Sequence, residues 1–521
     1  MRSETRNGGG VEFEGSSASA GSGKPLASLS VWPVLVGLGL LALGILGALA
    51  PGAAVAAAIA ALIIGLYVLY PIASLIPLFL WLLVQNSVVA ILEARGLAEA
   101  GVWLRRSDEA IMLGLFSIAI ITDVFGRGKA PLAGLAASIC AVSVVAIASA
   151  ILVGHAPPFV AALDLVLLLK GAVAFVAVKR AAATATPQQR TRALSWVKGA
   201  GFAAAGVACI EVVDPDGFRS LVGLPTGTYI RGGWNSLQGP FVHPGVFGWL
   251  MGVCALVAVV EALEGKRGAW WSILVFVLGI IASGRRKPLV GVLFASLVIV
   301  WLSSAGRVRW KRLGIAVGVT VVVVALFWPL MTELVTSTVQ NYVTLRDPLE
   351  QARDVMYIAS AGLALAHFPL GVGPGLFGGY AARLYYSPLY DQLGLSHVWG
   401  LSHDNPTFLT DAFWPHVLGE FGVLGVVAYL WFLGSTLRPA VPFTRGSPSS
   451  QRVLARAAVA VMAETVVESI ASASFELSLQ SFVGFGLLAI ASVAVKGEGG
   501  AGLRGQLPTA EALPEVLKGD T

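Results

Sequence analysis

Three consecutive basic residues, Arg285, Arg286 and Lys287, form the most informative charged group in the sequence. They stand in the segment Ser-Gly-Arg-Arg-Lys-Pro between two apolar stretches, with no acidic residue in the same short loop to offset them. Cationic groups retained at a membrane boundary indicate function by default, and guanidinium groups bind phosphate oxygens in a bidentate way. The group therefore predicts an anion site, with a lipid diphosphate as the natural candidate. Snorkelling of the side chains to ordinary lipid phosphates is the alternative.

A second set of candidates lies in the long polar segment 331–413, where His403 and Asp411 are suited to proton transfer. An imidazole or a carboxylate can act as general base towards an attacking hydroxyl group. His397 and His403 are six residues apart in a loop, which is a weak spacing for metal ligands. We therefore predict no metal site.

Four further ionisable residues are candidates because they stand at the ends of apolar stretches. Glu211 lies near the end of one such stretch, and Glu420 lies near the start of another. Glu420 can instead cap its own helix, which is the favoured interpretation of this residue. His243 and His416 also stand near the starts of apolar stretches.

These residues must be positioned by a membrane-embedded helical bundle. The chain has 521 residues, of which 56% are hydrophobic and only 12% are charged, and a mean hydropathy of +0.80. Soluble proteins carry about 25% charged residues, so an all-α polytopic membrane protein is predicted. Twelve to fourteen spans are expected, near 31–50, 52–70, 72–92, 109–125, 131–153, 158–178, 194–213, 242–263, 269–283, 288–304, 312–330, 414–434, 453–474 and 480–495.

The distribution of basic residues gives the predicted orientation. With the N-terminus inside, the short basic loops fall on the cytoplasmic side, as the positive-inside rule expects. Loop 284–287 and all six histidines then fall on the outer side or at its boundary. The net charge of +6 is therefore explained by topology and indicates no nucleic acid. The predicted regions are a cytoplasmic tail 1–27, a bundle 28–330, an outer loop 331–413, a bundle 414–495 and a cytoplasmic tail 496–521.

The outer loop is expected to have structure of its own. Asp347-Pro348 predicts the start of a helix that Phe368-Pro369 ends near His367. The glycine-rich run from Pro369 to Phe377 predicts either a plain turn or a loop whose backbone N–H groups approach a ligand.

Several segments together resemble the O-antigen ligase and polysaccharide polymerase superfamily. They include the run from Arg231 to Gly248, Ser283-Gly-Arg285-Arg286, the run from His367 to Phe377, and Leu418-Gly-Glu-Phe-Gly-Val-Leu-Gly425. The resemblance covers about 215–435 and depends on the order and spacing of these motifs.

The resemblance implies a GT-C-like glycosyltransferase of the bacterial inner membrane, with its active site facing outwards. Its donor would be an oligosaccharide on a polyprenyl diphosphate, usually undecaprenyl diphosphate, and its acceptor a glycan or a lipid. No cofactor is implied, and a chain-length regulator is a possible partner. Arg285 and Arg286 match the diphosphate-binding position, and Arg231, or alternatively Arg219, matches an arginine of the preceding outer loop.

One departure from the family pattern affects the predicted reaction. Ligases have a histidine where this chain has Asp411, which favours a polysaccharide polymerase. His403 or His416 can still supply an imidazole if the loop is shifted. A ligase that transfers the glycan to lipid A-core or another acceptor is the first alternative, and a lipid or solute transporter is the alternative from another class.

Overall fold

The structure is a computed structural model. It describes residues 50–125, 133–223, 230–231, 234–302, 352–445 and 449–493, and the single positions 314 and 318. Within these ranges the chain is helical, apart from the short strands β1 (Ile230–Arg231) and β2 (Trp234–Asn235), which pair antiparallel. The predicted tails 1–27 and 496–521, the predicted spans 31–50 and 312–330 apart from positions 50, 314 and 318, and positions 331–351 of the predicted loop lie outside the described residues.

The helices before β1 and β2 begin at proline in several cases, because proline at a first helical position loses no intrahelical hydrogen bond. They are α1 (Pro51–Leu69), α2 (Pro71–Ala94), α3 (Ala98–Arg105), α4 (Ser107–Phe125), α5 (Ala133–Leu152), α6 (Pro158–Leu168), α7 (Lys170–Ala183), α8 (Pro187–Val213) and α9 (Pro215–Val222).

After the strands come three helices of the bundle, three helices within the predicted loop 331–413 and then three more helices of the bundle. They are α10 (Pro244–Leu263), α11 (Ala269–Ala282), α12 (Arg286–Leu302), α13 (Ala352–Ala366), α14 (Tyr380–Tyr385), α15 (Leu389–Gln392), α16 (Phe413–Leu437), α17 (Ser449–Glu468) and α18 (Ser478–Ala491). Short 3₁₀ turns lie between the last four of these helices, at Leu395–His397, Val441–Thr444 and Ser469–Ala471.

The prediction of an α-helical membrane protein is confirmed. Every predicted span within the described ranges falls on a helix or a helix pair. Six described helices (α1, α2, α5, α8, α10 and α16) are long and apolar enough to cross a membrane. The pair α6 and α7 adds a seventh if its 50° bend is taken as one broken span. Others are shorter, such as α11 and α18, or carry several charges, such as α4.

Helix α10 is the centre of the described bundle. The apolar stretch of α10 that is long enough to cross a membrane is 89% buried, because α8, α11, α12 and α17 pack around it. A helix that is apolar on all sides is expected in such a position. Its first residues and the residue before it, His243, therefore have a fixed position relative to the turn between α11 and α12.

The described part of the predicted loop has a small apolar core of its own. Val355 and Leu363 of α13 pack with Phe377, Tyr390 and Leu401. Helix α13 ends at Ala366, which confirms the predicted end of that helix. Helix α13 also packs along α16, so this part of the chain is joined to the bundle.

Candidate functional site

The basic residues predicted to bind an anion lie at the turn between α11 and α12. Gly284 has a φ of +63°, which only glycine adopts readily, and the N–H of Arg285 donates to Ser283 Oγ at 3.2 Å. Helix α12 begins at Arg286, so Arg286 and Lys287 lie at the positive end of the helix dipole. Cations are disfavoured at that position unless an anion is near. We call Arg285, Arg286, Lys287 and the nearby Arg353 the cationic cluster.

His243 adds a hydrogen-bond donor to this cluster. It caps α10, and its Nδ1 accepts from the N–H of Gly245 at 3.0 Å, so the neutral ring carries its proton on Nε2. That Nε2 lies 3.1 Å from Nη2 of Arg285. Two N–H donors this close to each other are stabilised by a shared acceptor, such as a phosphate oxygen.

Asp411, one of the two predicted catalytic residues, lies beside the cationic cluster. Its carboxylate forms an ion pair with Arg353 at the start of α13. Lys287 lies close enough to interact electrostatically with two carboxylates and two guanidinium groups, those of Glu468, Asp411, Arg353 and Arg285. The Lys287 ammonium also donates to the backbone of the 3₁₀ turn Ser469–Ala471.

His403, the other predicted catalytic residue, has a different environment. Its side chain is 77% exposed, and its Nδ1 is 3.5 Å from the carboxylate of Asp404. Its ring lies edge-on to Tyr386, with 5.0 Å between ring centroids. Among the described contacts none joins His403 to the cationic cluster. Its role as a base stays a prediction, and Asp411 is the better placed of the two.

Arg219 and Glu211 form a buried ion pair. Nη2 of Arg219 lies 2.5 Å from Oε1 of Glu211, and the two residues are 3% and 1% exposed. The other oxygen of Glu211 accepts from the N–H groups of Gln238 and Gly239 at 2.9 and 2.7 Å. The pair therefore holds the segment that leads to His243, which gives both residues a structural role. The predicted diphosphate contact of Arg219 stays a prediction, as does that of Arg231, which lies in β1.

We expect Glu211→Gln to lower the free energy of unfolding by about 3–5 kcal/mol, because the substitution leaves the buried Arg219 guanidinium without its carboxylate. Thermal unfolding of the detergent-purified protein measures the change. Glu93→Gln is the matched control, because the Glu93–Arg105 pair is 39% and 47% exposed and such pairs contribute about 0–1 kcal/mol. Equal effects of the two substitutions would contradict the structural role of Glu211.

A second group of ionisable residues, which we call the buried carboxylate–histidine cluster, consists of Asp164, His416, Glu420 and Glu476. Nδ1 of His416 is 2.6 Å from Glu476 Oε1, and its Nε2 is 3.2 Å from both Asp164 Oδ2 and Glu420 Oε2. All four side chains are buried. The cluster joins α6, α16 and the segment before α18.

The glycine-rich run is bound to this cluster. Glu420 accepts from the N–H of Gly375 at 2.8 Å and from that of Phe377 at 2.6 Å. The predicted role of Glu420 as a cap of its own helix is therefore wrong, since it is the eighth residue of α16 and its carboxylate binds another segment. These loop N–H groups are occupied by a side chain of the protein itself.

Helix α16 is interrupted at Gly422, whose φ is +63° and ψ is −161°. The interruption frees the carbonyl oxygens of Gly419 and Glu420, which accept from the N–H groups of Val372 and Gly373 at 2.9 Å each. Ser149 of α5 donates to the Glu420 carbonyl at 2.8 Å. The broken helix and the glycine-rich run therefore form one hydrogen-bonded unit.

Sequence reasoning missed Asp164 and Arg353. It also missed Lys170, whose ammonium lies 3.1 Å from Glu109 and 2.9 Å from Ser478 Oγ. Asp164 and Lys170 stand inside one apolar stretch, and an ionisable residue in such a stretch is itself a signal of function or of a buried partner. No comparable signal marks Arg353, because it lies in a polar segment.

The structure also contains an apolar cavity of about 690 Å³ between α2, α8 and α18. None of the predicted site residues lines this cavity. It therefore has no contact with the chemistry considered above.

The chain matches no known family model and no curated protein. The fold and the arrangement of apolar helices define the class only as an α-helical membrane protein.

Proposed function

We propose that the protein is a GT-C-like membrane glycosyltransferase that uses an oligosaccharide on a polyprenyl diphosphate as donor. The observation that carries the proposal is the arrangement of Arg285, Arg286, Lys287 and Arg353 around the start of α12, with the His243 ring 3.1 Å from Arg285. This cluster concentrates positive charge at the start of α12, where Arg353 also pairs with Asp411 and Lys287 also donates to the turn Ser469–Ala471. The resemblance of the sequence to polysaccharide polymerases and ligases supports the same reaction.

The proposed reaction needs stabilisation of a leaving group more than activation of the donor. A hydroxyl oxygen of the acceptor attacks the anomeric carbon, and the bond from that carbon to the diphosphate oxygen breaks. The electron pair leaves with the polyprenyl diphosphate, where negative charge accumulates in the transition state. Fixed guanidinium groups near that oxygen lower the barrier, because they need no reorganisation as the charge develops.

Asp411 is the group proposed to accept the proton of the attacking hydroxyl. Its carboxylate is held by Arg353, so the base and the cationic cluster have a fixed relative position. Because His403 is exposed at the protein surface, we assign this step to Asp411 first.

The proposed location of the transfer is the outer face of a bacterial inner membrane, and both termini of the protein are proposed to be cytoplasmic. The preference for a polymerase depends on Asp411, which stands where ligases of the similar family have histidine. A ligase uses the same donor and the same leaving group, so the two activities differ only in the acceptor.

The proposal is tested by reconstituting the purified protein in liposomes with a synthetic polyprenyl-diphosphate oligosaccharide, without nucleotide. A ladder of longer lipid-linked glycans, with release of polyprenyl diphosphate, is the expected result. The same oligosaccharide on a polyprenyl monophosphate is the matched substrate control, and we expect it to react much more slowly.

The pattern of products separates the alternatives. Transfer that appears only after lipid A-core or another acceptor is added would identify a ligase. Binding of the donor lipid with no turnover under either condition would contradict the proposed enzyme and would favour a lipid transporter.

A further inference from the structure

The buried carboxylate–histidine cluster contains more acidic groups than basic groups. It contains three carboxyl groups and one imidazole, and Asp164, His416 and Glu420 are 0% exposed. In the described part of the chain, no arginine or lysine forms an ion pair with any of the four residues. A buried ion without a counter-charge is strongly unfavourable, so this cluster needs protons or another positive charge.

The hydrogen bonds of His416 show where that charge belongs. The short contact of Nδ1 with Glu476 is a donor contact, since a carboxylate can only accept. In the neutral ring, Nε2 is then a lone pair that faces two carboxylate oxygens at 3.2 Å each. Three acceptors that converge in this way are stable only around a proton or a metal ion.

The distances fit a metal ion. Ligand atoms bound at about 2.0 Å to a tetrahedral metal lie about 3.3 Å from one another, and Nε2 of His416 lies 3.2 Å from an oxygen of Asp164 and from one of Glu420. The three ligand atoms all lie within 4.8 Å of one another. Metal-bound histidines usually donate their other ring N–H to a carboxylate, as His416 does to Glu476.

A second and independent observation concerns Asp164 and Gly379. Oδ1 of Asp164 is buried and has no hydrogen-bond partner in the described part of the chain. A Cβ atom built on Gly379 would lie 2.7 Å from this oxygen and 2.8 Å from Nε2 of His416. Because Gly379 has no Cβ atom, the space beside Asp164 Oδ1 and His416 Nε2 stays open. An ion bound by both atoms would lie near this space.

We propose that Asp164, His416 and Glu420 bind a divalent metal ion, with Glu476 orienting the histidine. One nitrogen and two or more carboxylate oxygens suit Zn²⁺ first. Because the site is fully buried, the ion is structural. It joins α6, α16 and the glycine-rich run, whose N–H groups hold the Glu420 carboxylate. The site is independent of the proposed glycosyl transfer.

The metal content of the full-length protein tests this site. The protein is purified in detergent with any histidine tag removed, and its metals are measured by inductively coupled plasma mass spectrometry. We expect about one zinc ion per chain, and loss of that ion in Asp164→Asn, which keeps the shape of the side chain. Asp391→Asn is the matched control, because Asp391 is an exposed carboxylate outside the cluster and should leave the metal in place.

A measurement on the unaltered protein avoids dependence on a variant that folds poorly. A strong zinc chelator should lower the melting temperature of the wild-type protein, and ZnCl₂ should restore it, because a ligand of the native state stabilises that state. Manganese in place of zinc in the purified protein would keep the site and change its metal. A wild-type protein without stoichiometric metal, whose melting temperature responds to neither ZnCl₂ nor MnCl₂, would overturn the proposal in favour of shared protons.

Discussion

Replacing Arg285 with alanine is expected to lower kcat for glycan transfer about 10²–10³-fold, as removal of one fixed donor to a developing oxyanion typically does. Arg285 is the member of the cationic cluster that approaches the His243 ring, at 3.1 Å. Its loss removes a charge at the proposed diphosphate and leaves His243 without its neighbouring donor. Initial rates of product formation in liposomes, at saturating donor, measure the effect.

Two further variants separate charge from geometry at this position. Arg285→Lys keeps the charge but loses the planar fork of donors, so an intermediate rate is expected. Arg105→Ala is the control, because Arg105 forms an exposed ion pair with Glu93 and should leave the rate unchanged. Full activity of Arg285→Ala in folded protein would show that the diphosphate binds elsewhere.

The helices could be predicted from the sequence because apolar stretches long enough to cross a bilayer leave the backbone few other conformations. The bend of 50° between α6 and α7 could not be predicted from the sequence. Lys170 follows that bend directly, and its ammonium contacts Glu109 of α4 and Ser478 of α18. Hydropathy predicts the length of an apolar stretch. The contacts beside this bend join Lys170 to Glu109, 61 residues away in the sequence, and to Ser478, 308 residues away.

The candidate site shows the same division. Arg285 could be predicted because its neighbours in the sequence are basic and its flanks are apolar. The pairing of Asp411 with Arg353 depends on a contact across 58 residues, and that of His416 with Asp164 on one across 252. Such pairs form because helices pack together, and this packing cannot be predicted from a single sequence. The hydrogen bonds of Glu420 to the glycine-rich run belong to the same class of tertiary contact.

Gly422→Ala is expected to destabilise the protein strongly. Gly422 has a φ of +63°, a region in which a residue with a Cβ atom is strained. A Cβ atom there would overlap the carbonyl oxygen of Pro369 and lie 2.7 Å from the backbone nitrogen of Gly371. Both neighbours are backbone atoms of the glycine-rich run. The Pro369 carbonyl accepts from the N–H of Leu424 in α16, and the N–H of Gly371 donates to the His367 carbonyl, so neither can move without breaking a hydrogen bond. We expect a loss of at least about 3 kcal/mol in the free energy of unfolding.

Gly434→Ala is the matched control within the same helix. Gly434 lies in the regular part of α16, and no atom lies within 4 Å of a Cβ built there. Alanine in a helix interior is favoured over glycine by about 0.5–1 kcal/mol, so this variant should melt at the wild-type temperature or slightly above. Thermal unfolding of the two variants in detergent compares them directly. Equal melting temperatures would mean that α16 is continuous through Gly422, and the carbonyl groups of Gly419 and Glu420 would then no longer be free to hold the glycine-rich run.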